Sequence, residues 1–283
     1  MIVPGHTAEG LAAAVATATQ QPLAEVAYDR FPDGELCHRI ATDELESAVV
    51  VAATDTPDAF VGLLQLQDAA RELAGSVTTV LSYMGYARQD RSFTAGEPIS
   101  ARALAAAVST GTDQVVLINP HEAAVTDFFT VPTVVCDATA SLVAALDAAH
   151  TDPLVVAPDA SARPMAVALR DALGRGEVDH LEKTRHSARH VELSASDRAV
   201  RDRTVVLVDD IIATGTTMAS AADQLLEAGA ARVDVACVHG VLADGAQTAL
   251  SRSGVTEIIT TDTLDAAPAT VSVADAVAAC LTA

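Results

Sequence analysis

Short apolar runs rich in Val, Ile and Leu alternate with Ala-rich stretches of helical period along all 283 residues, and that alternation constrains the fold most. Residues 24–28, 48–53, 77–83, 115–118, 133–136, 154–157, 178–181, 204–208, 233–238 and 257–260 read as strands. Residues 7–19, 59–73, 100–108, 141–149, 162–173, 216–227, 245–251 and 274–281 read as helices between them. Strands such as 204–208 are apolar throughout rather than alternating, as happens when helices cover both faces of a sheet. Regular β–α succession predicts mainly parallel sheets with right-handed crossovers, an α/β fold. The length allows one large domain or two of roughly 140 residues. A boundary near Asp137–His150 gives halves of 1–140 and 141–283, with the last helix free to pack back on the first. The segments 77–91 and 204–217 loosely mirror one another, each an apolar strand followed by polar, ligand-type residues.

Composition narrows the function. Against 38 Asp and Glu there are 17 Lys and Arg, for a formal charge of −21, and Lys183 is the sole lysine. With Thr184 after it and no Gly before it, Lys183 cannot complete G-x-x-x-x-G-K-[ST], and no glycines fall as G-x-G-x-x-G. Both common nucleotide fingerprints are therefore excluded. The acidity argues against nucleic-acid or membrane-surface binding, since both attract basic patches. It leaves open a small phosphorylated ligand, which needs only a few local donors. Abundant carboxylate with almost no lysine suits a protein working in concentrated salt, which screens the self-repulsion. The four cysteines are scattered with no C-x-x-C pair, and the first residues lack a charged n-region followed by an apolar core. The chain reads as cytoplasmic and reduced.

The most informative segment is Thr204-Val-Val-Leu-Val-Asp-Asp-Ile-Ile-Ala-Thr-Gly-Thr-Thr217. An apolar strand ends in two carboxylates, Asp209 and Asp210. Three residues later Thr214, Gly215, Thr216 and Thr217 open an Ala-rich helix. Gly215 permits close backbone approach, and a helix N-terminus with threonine hydroxyls offers donors to a phosphate. The carboxylates can accept from two vicinal hydroxyls. Together these suit a ribose 5-phosphate unit without any lysine. A strand, an Asp turn and a capped helix would explain T-G-T-T alone; the paired carboxylates on a buried strand favour the ligand.

This segment resembles the phosphoribosyltransferase-type loop, and the whole chain, from Phe31-Pro-Asp-Gly-Glu35 to Thr261-Asp-Thr-Leu264, resembles the ribose-phosphate pyrophosphokinase family, with its motifs in family order. The resemblance implies two phosphoribosyltransferase-like doubly wound domains with mainly parallel sheets, the first contacting ATP and the second ribose 5-phosphate. It implies Mg²⁺ as cofactor and a homo-oligomer, a dimer or dimer-based. On that resemblance Phe31, Asp33, Gly34 and Glu35 contact adenine, and Arg88, Gln89, Asp90 and His121 complete ATP binding. Chemically, Phe31 offers a stacking face, and guanidinium groups suit polyphosphate oxygens. His121 also coordinates the Mg²⁺ carried by ATP, while Asp159 binds a second Mg²⁺ beside the sugar. Lys183 and Arg185 correspond to the family's K-x-R at the root of a flexible catalytic loop; independently of the resemblance, 185–203, the most polar stretch and without a clean period, reads as a mobile loop or hairpin. Arg185, Asp209, Asp210, Ala213, Thr214, Gly215, Thr216 and Thr217 hold ribose 5-phosphate.

Each motif also has a plainer reading. Pro-Asp-Gly is commonly a turn, Asp159 an N-cap, and Lys183 with Arg185 a solvated face; keeping the one lysine there argues otherwise. His121-Glu122-x-x-Val125 lacks the last ligand of a zinc motif. Two positions depart from the family. Asn119 stands where Asp is common, which puts a second, regulatory cation site in question. Ala213 stands where a third Asp is often found, so altered sugar affinity is expected. A base phosphoribosyltransferase, or a non-catalytic regulatory homologue, are the rival functions.

Overall fold

The computed structural model describes residues 1–42, 45–92, 94–146, 150–187, 190–195, 200–243, 245–265 and 269–282, with backbone alone at 182–187, 190–195 and 269–270. The chain forms two compact units: Met1–Ala138 with Asp262–Asp265 and Ser272–Ala283, and Thr139–Thr261 with Ala266–Val271.

The first unit runs β1 (Ile2–Pro4), α1 (Glu9–Thr19), β2 (Val26–Arg30), β3 (Leu36–Ile40), β4 (Ala48–Ala52), α2 (Pro57–Leu73), β5 (Val77–Leu81), α3 (Ser100–Val108), β6 (Gln114–Ile118) and β7 (Thr133–Cys136). A parallel sheet forms in the order β1-β4-β5-β6-β7, while β2 and β3 make a separate antiparallel hairpin. All five residues of β4 are buried, which is why its sequence, Ala-Val-Val-Val-Ala, does not alternate. The local chemistry of α2 explains its start. Thr56 accepts the Ala59 N–H at 3.1 Å, Pro57 occupies the first turn, and Asp58 sits at the positive end of the helix dipole.

The second unit holds β8 (Leu154–Ala157), α4 (Arg163–Leu173), β9 (Glu177–Ser187), β10 (His190–Ala195), β11 (Thr204–Ile211), α5 (Thr216–Glu227), β12 (Arg232–His239), α6 (Ala246–Arg252), β13 (Glu257–Thr261) and β14 (Ala269–Val271). The sheet order is β10-β9-β8-β11-β12-β13-β14, parallel except for the β9–β10 pair. The chain leaves β8 toward β9 and β10, then returns to β11 on the other side of β8. Connections therefore diverge between β8 and β11, and a crevice opens at the carboxyl ends of such a strand pair. The last helix, α7 (Ala274–Thr282), belongs to the first unit.

Several elements differ from the sequence expectation. Strands β1 and β14 are three-residue edges, too short to show a period, and β3 carries polar His38 and Arg39 in its middle. The helix expected over 141–149 is a 3₁₀ segment, Thr139–Ala145, and 147–149 lie outside the described residues. The strand expected over 178–181 continues to Ser187, and residues 190–195 pair antiparallel with it, Val191 opposite Arg185. Residues 188–189 and 196–199 of that segment, and Phe93, lie outside the described residues.

Candidate active site

Two loops meet the β8/β11 crevice of the second unit. After β8 comes Asp159, whose Oδ1 accepts the N–H groups of Ser161 at 3.0 Å and Ala162 at 3.3 Å, together with the Ser161 hydroxyl. Asp159 is therefore not the N-cap of α4, which is Ala162 with no side-chain cap bond; one of its carboxylate oxygens ties the turn just before that helix. At the end of β11 stand Asp209 and Asp210, each with a carboxylate oxygen accepting the N–H of the following residue, at 3.0 and 2.9 Å. These local bonds turn the carboxylates back along the strand end. Burial pushes the Asp209 carboxyl up to about 7, and the charges of Asp210 and Asp159 push the same way. Three carboxylates thus share one neighbourhood and repel.

Beyond them the chain enters α5. Gly215 has φ +71°, and a Cβ there would lie 3.2 Å from the Ala246 carbonyl oxygen and 3.4 Å from the Leu250 Cγ. Both conformation and space call for glycine. The first intrahelical bond runs from Ala219 N–H to Gly215 O, so the N–H groups of Thr216, Thr217 and Met218 find no acceptor inside the helix. The Thr214 and Thr216 hydroxyls lie 3.1 Å apart at this end, and both residues are exposed. Donors of this kind at a helix N-terminus bind an anionic oxygen group. Ala213 is tied by its carbonyl, which accepts from Ala243 N–H at 2.9 Å. Lys183 and Arg185 lie on β9, opposite Leu193 and Val191, and their side chains are outside the described residues.

The first unit gathers its candidates at the carboxyl edge of its own sheet. After β5, Thr54 ties the turn: its hydroxyl donates to Tyr83 O at 3.3 Å and accepts Gly85 N–H at 3.0 Å. A Cβ on Gly85 would overlap the Thr54 carbonyl oxygen. The chain then passes Tyr86 at φ +63°, exposed and in a region that L-residues seldom occupy. It delivers Arg88 and Gln89 to the surface; Gln89 accepts from the Ser100 hydroxyl, and Asp90 follows, half-buried. After the adjacent β6 come Asn119 and His121, the latter exposed. Asn119 has φ +34°; its amide donates to Asp137 at 3.1 Å and its carbonyl oxygen accepts Ala138 N–H at 2.7 Å. The departure at 119 has a physical reason: an aspartate would set a second carboxylate against Asp137.

The turn Phe31–Glu35 at the tip of the β2–β3 hairpin reaches this same edge. Gly34 has φ +95°, and Asp33 accepts the Glu35 N–H at 3.2 Å, so Asp33 serves the turn itself. Arg30, overlooked in the sequence, donates to Gly34 O and to Asp58, both at 2.6 Å. Asp58 lies at the start of α2, which follows β4 at the carboxyl edge. Phe31 is 52 % exposed, as a stacking surface must be.

Comparison with known proteins decides the family. Residues 1–111 match the N-terminal domain of ribose phosphate pyrophosphokinase, and residues 134–276 the phosphoribosyl transferase domain. A ribose-phosphate pyrophosphokinase of Halobacterium salinarum is 48 % identical over 281 residues, spanning 98 % of this chain and 99 % of its own. That of Methanosarcina mazei is 44 % identical, covering 99 % of this chain and 94 % of its own. The chain belongs to the ribose-phosphate pyrophosphokinase family. A crystal structure of phosphoribosylpyrophosphate synthetase from Mycobacterium smegmatis superposes with a TM-score of 0.85 at 30 % identity, covering 99 % of this chain and 96 % of that one. The fold, two α/β units with mainly parallel sheets, is that of this family, and the acidic, lysine-poor composition accords with the halobacterial relative.

The crevice fits the cation that pyrophosphokinase chemistry calls for. Hard carboxylate oxygens at Asp159, Asp209 and Asp210, whose charges add to burial in raising the Asp209 carboxyl, suit Mg²⁺. Among the described residues, no three ligand side chains converge to cage a metal. Mg²⁺ characteristically needs only one or two carboxylates, taking its other oxygens from water and substrate phosphate.

Proposed function

We propose that the second unit binds ribose 5-phosphate, that the first binds ATP, and that the chain transfers the β,γ-diphosphoryl group of ATP to the anomeric hydroxyl. The products are 5-phosphoribosyl 1-diphosphate and AMP. One observation carries this reading: two carboxylates suited to a diol stand beside an open helix N-terminus suited to a phosphate, at the β8/β11 crevice.

Asp209 and Asp210 accept from the two ring hydroxyls and fix the sugar's orientation. Ala213, Thr214, Gly215, Thr216 and Thr217 hold the 5-phosphate through backbone N–H groups and hydroxyls. In the first unit, Phe31 stacks on adenine, Glu35 accepts from its amino group, and Arg88, Gln89 and Asp90 bind the remainder of the nucleotide. The anomeric oxygen attacks the β-phosphorus in line, the bond to the α-phosphate oxygen breaks, and AMP departs. Lys183 and Arg185 neutralise charge that grows on the transferred group. His121 is suited to hold the Mg²⁺ carried by ATP and Asp159 a second Mg²⁺ beside the sugar; when bound, these ions would screen the triphosphate charge. Catalysis on this reading is positioning with charge neutralisation, and calls for no covalent intermediate. We further read the chain as a cytoplasmic homo-oligomer; no helix among the described residues is long and apolar enough to cross a membrane.

The test is purified protein in molar KCl with Mg²⁺, ATP and ribose 5-phosphate, resolving AMP from ADP. AMP formed in step with phosphoribosyl diphosphate, and only with both substrates present, is the expected result. ADP instead would overturn attack at the β-phosphorus. No turnover at any salt concentration would favour the regulatory homologue.

A further inference from the structure

The β2–β3 hairpin is a two-stranded sheet, and such a hairpin is marginal in water unless something covers it. One face of α2 supplies the cover. Asp58, Gly62 and Gln65 recur at steps of four and three, so they lie in one row along the helix. Each meets a different part of the hairpin. Asp58 pairs with Arg30 beneath the tip. Gly62 lies against the His38 ring, where a Cβ would overlap the imidazole. Gln65 grips the outer edge of β3: its Nε2 donates to Leu36 O at 2.8 Å, and its Oε1 accepts His38 N–H at 3.1 Å. A side-chain amide here exchanges a donor and an acceptor with the strand, as a neighbouring strand would.

These contacts differ in strength where this chain works. Arg30 and Asp58 are 51 and 59 % exposed, and such pairs contribute little even in dilute salt. In molar salt the Debye length is roughly 3 Å, which screens them further. The two Gln65 bonds are neutral and part-buried, and salt leaves them in place. They also fall one to three residues past Glu35, close to the tip.

We propose that Gln65 is a positioning residue for nucleotide binding: it holds β3 at Leu36 and His38, and so fixes the Phe31–Glu35 turn against the start of α2. This rests on the reading that the turn contacts the adenine of ATP. Gln65 itself touches no substrate; it acts through the hairpin backbone.

The experiment compares Gln65→Met, close in volume but without either bond, with Phe31→Ala in the full-length enzyme at molar KCl. Gln65→Met should raise KM for ATP roughly fivefold to tenfold, the scale of losing two such bonds. It should leave kcat and KM for ribose 5-phosphate close to the parent and lower the melting temperature by about a few degrees at most, while amide exchange at His38 quickens. Unchanged KM for ATP, with Phe31→Ala raising it, overturns the proposal and leaves the turn's nucleotide role standing. Unchanged KM in both variants overturns the adenine reading of the turn, and this proposal with it. A parallel fall in kcat and melting temperature makes Gln65 a stabilising residue only, which also overturns the proposal.

Discussion

The two edges of the seven-stranded sheet are built on opposite electrostatic rules. At the amino edge, charges are matched. Asp234, fully buried near the start of β12, meets His150 at 2.8 Å and Arg232 at 2.6 Å; Arg232 also reaches Glu257 at 3.0 Å. Arg203, just before β11, pairs with Glu177 at 2.6 Å at the start of β9. At the carboxyl edge, Asp159, Asp209 and Asp210 set like charge beside like charge; burial first, then the charges of Asp210 and Asp159, hold the Asp209 carboxyl up at about 7. One edge spends its ionic groups on holding strands together. The other keeps an electrostatic strain that only a ligand, a cation or a proton relieves. A parallel sheet allows the division because its two edges are served by separate sets of loops.

Substitutions should therefore move stability and activity in opposite ways at the two edges. The largest expected effect is at Asp234→Ala, which takes the 2.8 Å carboxylate partner from fully buried His150 and leaves Arg232 paired with Glu257; it should cost about 3–5 kcal/mol of stability. Urea unfolding in molar KCl measures it, and turnover per folded molecule should be unchanged. Asp209→Asn should do the reverse. Losing a charged acceptor costs about 1.5–3 kcal/mol of binding, hence about tenfold to a hundredfold in kcat/KM for ribose 5-phosphate. Stability should hold or rise, since a repelled, buried charge is gone. A large stability loss at Asp209, or a large activity loss per folded molecule at Asp234, would erase the contrast. Gly215→Ala comes next: its left-handed conformation costs about 1–2 kcal/mol for a side chain. KM for ribose 5-phosphate should rise roughly tenfold, with KM for ATP unmoved.

How far the sequence showed this division depends on how local each signal is. The carboxyl edge was legible because its chemistry is contiguous: the apolar run before Asp209, the paired carboxylates and Gly215 fall within fourteen residues, 204–217. The amino edge was not. Asp234 looks like one polar residue in an apolar strand, and its partner His150 is 84 positions away. Gln65 was missed for a similar reason, since its partners lie 27 and 29 residues earlier on a strand that had no period to announce it. The row Asp58, Gly62, Gln65 was visible in α2 as a polar and small stripe, but nothing local said what would cover it. Lys183 was singled out from composition as the one lysine, and Arg185 from the resemblance to the family's K-x-R. Their place on β9, opposite Leu193 and Val191, is a matter of strand pairing that the local sequence does not carry.

The smallest prediction sharpens the comparison by pH, because carboxylates at opposite edges carry opposite signs. Asp209 is held above its ordinary value, so between about pH 4 and about pH 7 the folded enzyme keeps a proton that the unfolded chain releases. Ligand-free stability should fall across that window, level off above it, and lose the slope in Asp209→Asn. Asp113, before β6 at the amino edge of the first sheet, accepts Val77 N–H at 2.8 Å and pairs with Arg71 at 2.9 Å. The Val77 bond first, then Arg71, hold its carboxyl below its ordinary 3.8. Its contribution should be complete above that value and disappear as pH falls through the lowered one. Asp113→Asn should therefore cost at most about 1 kcal/mol at neutral pH, both partners being well exposed. Below pH 4 the variant and the parent should converge. Equilibrium unfolding at pH 3, 5 and 8 separates the two groups: a slope of the same sign from both would mean that the carboxyl edge is as well matched in charge as the amino edge.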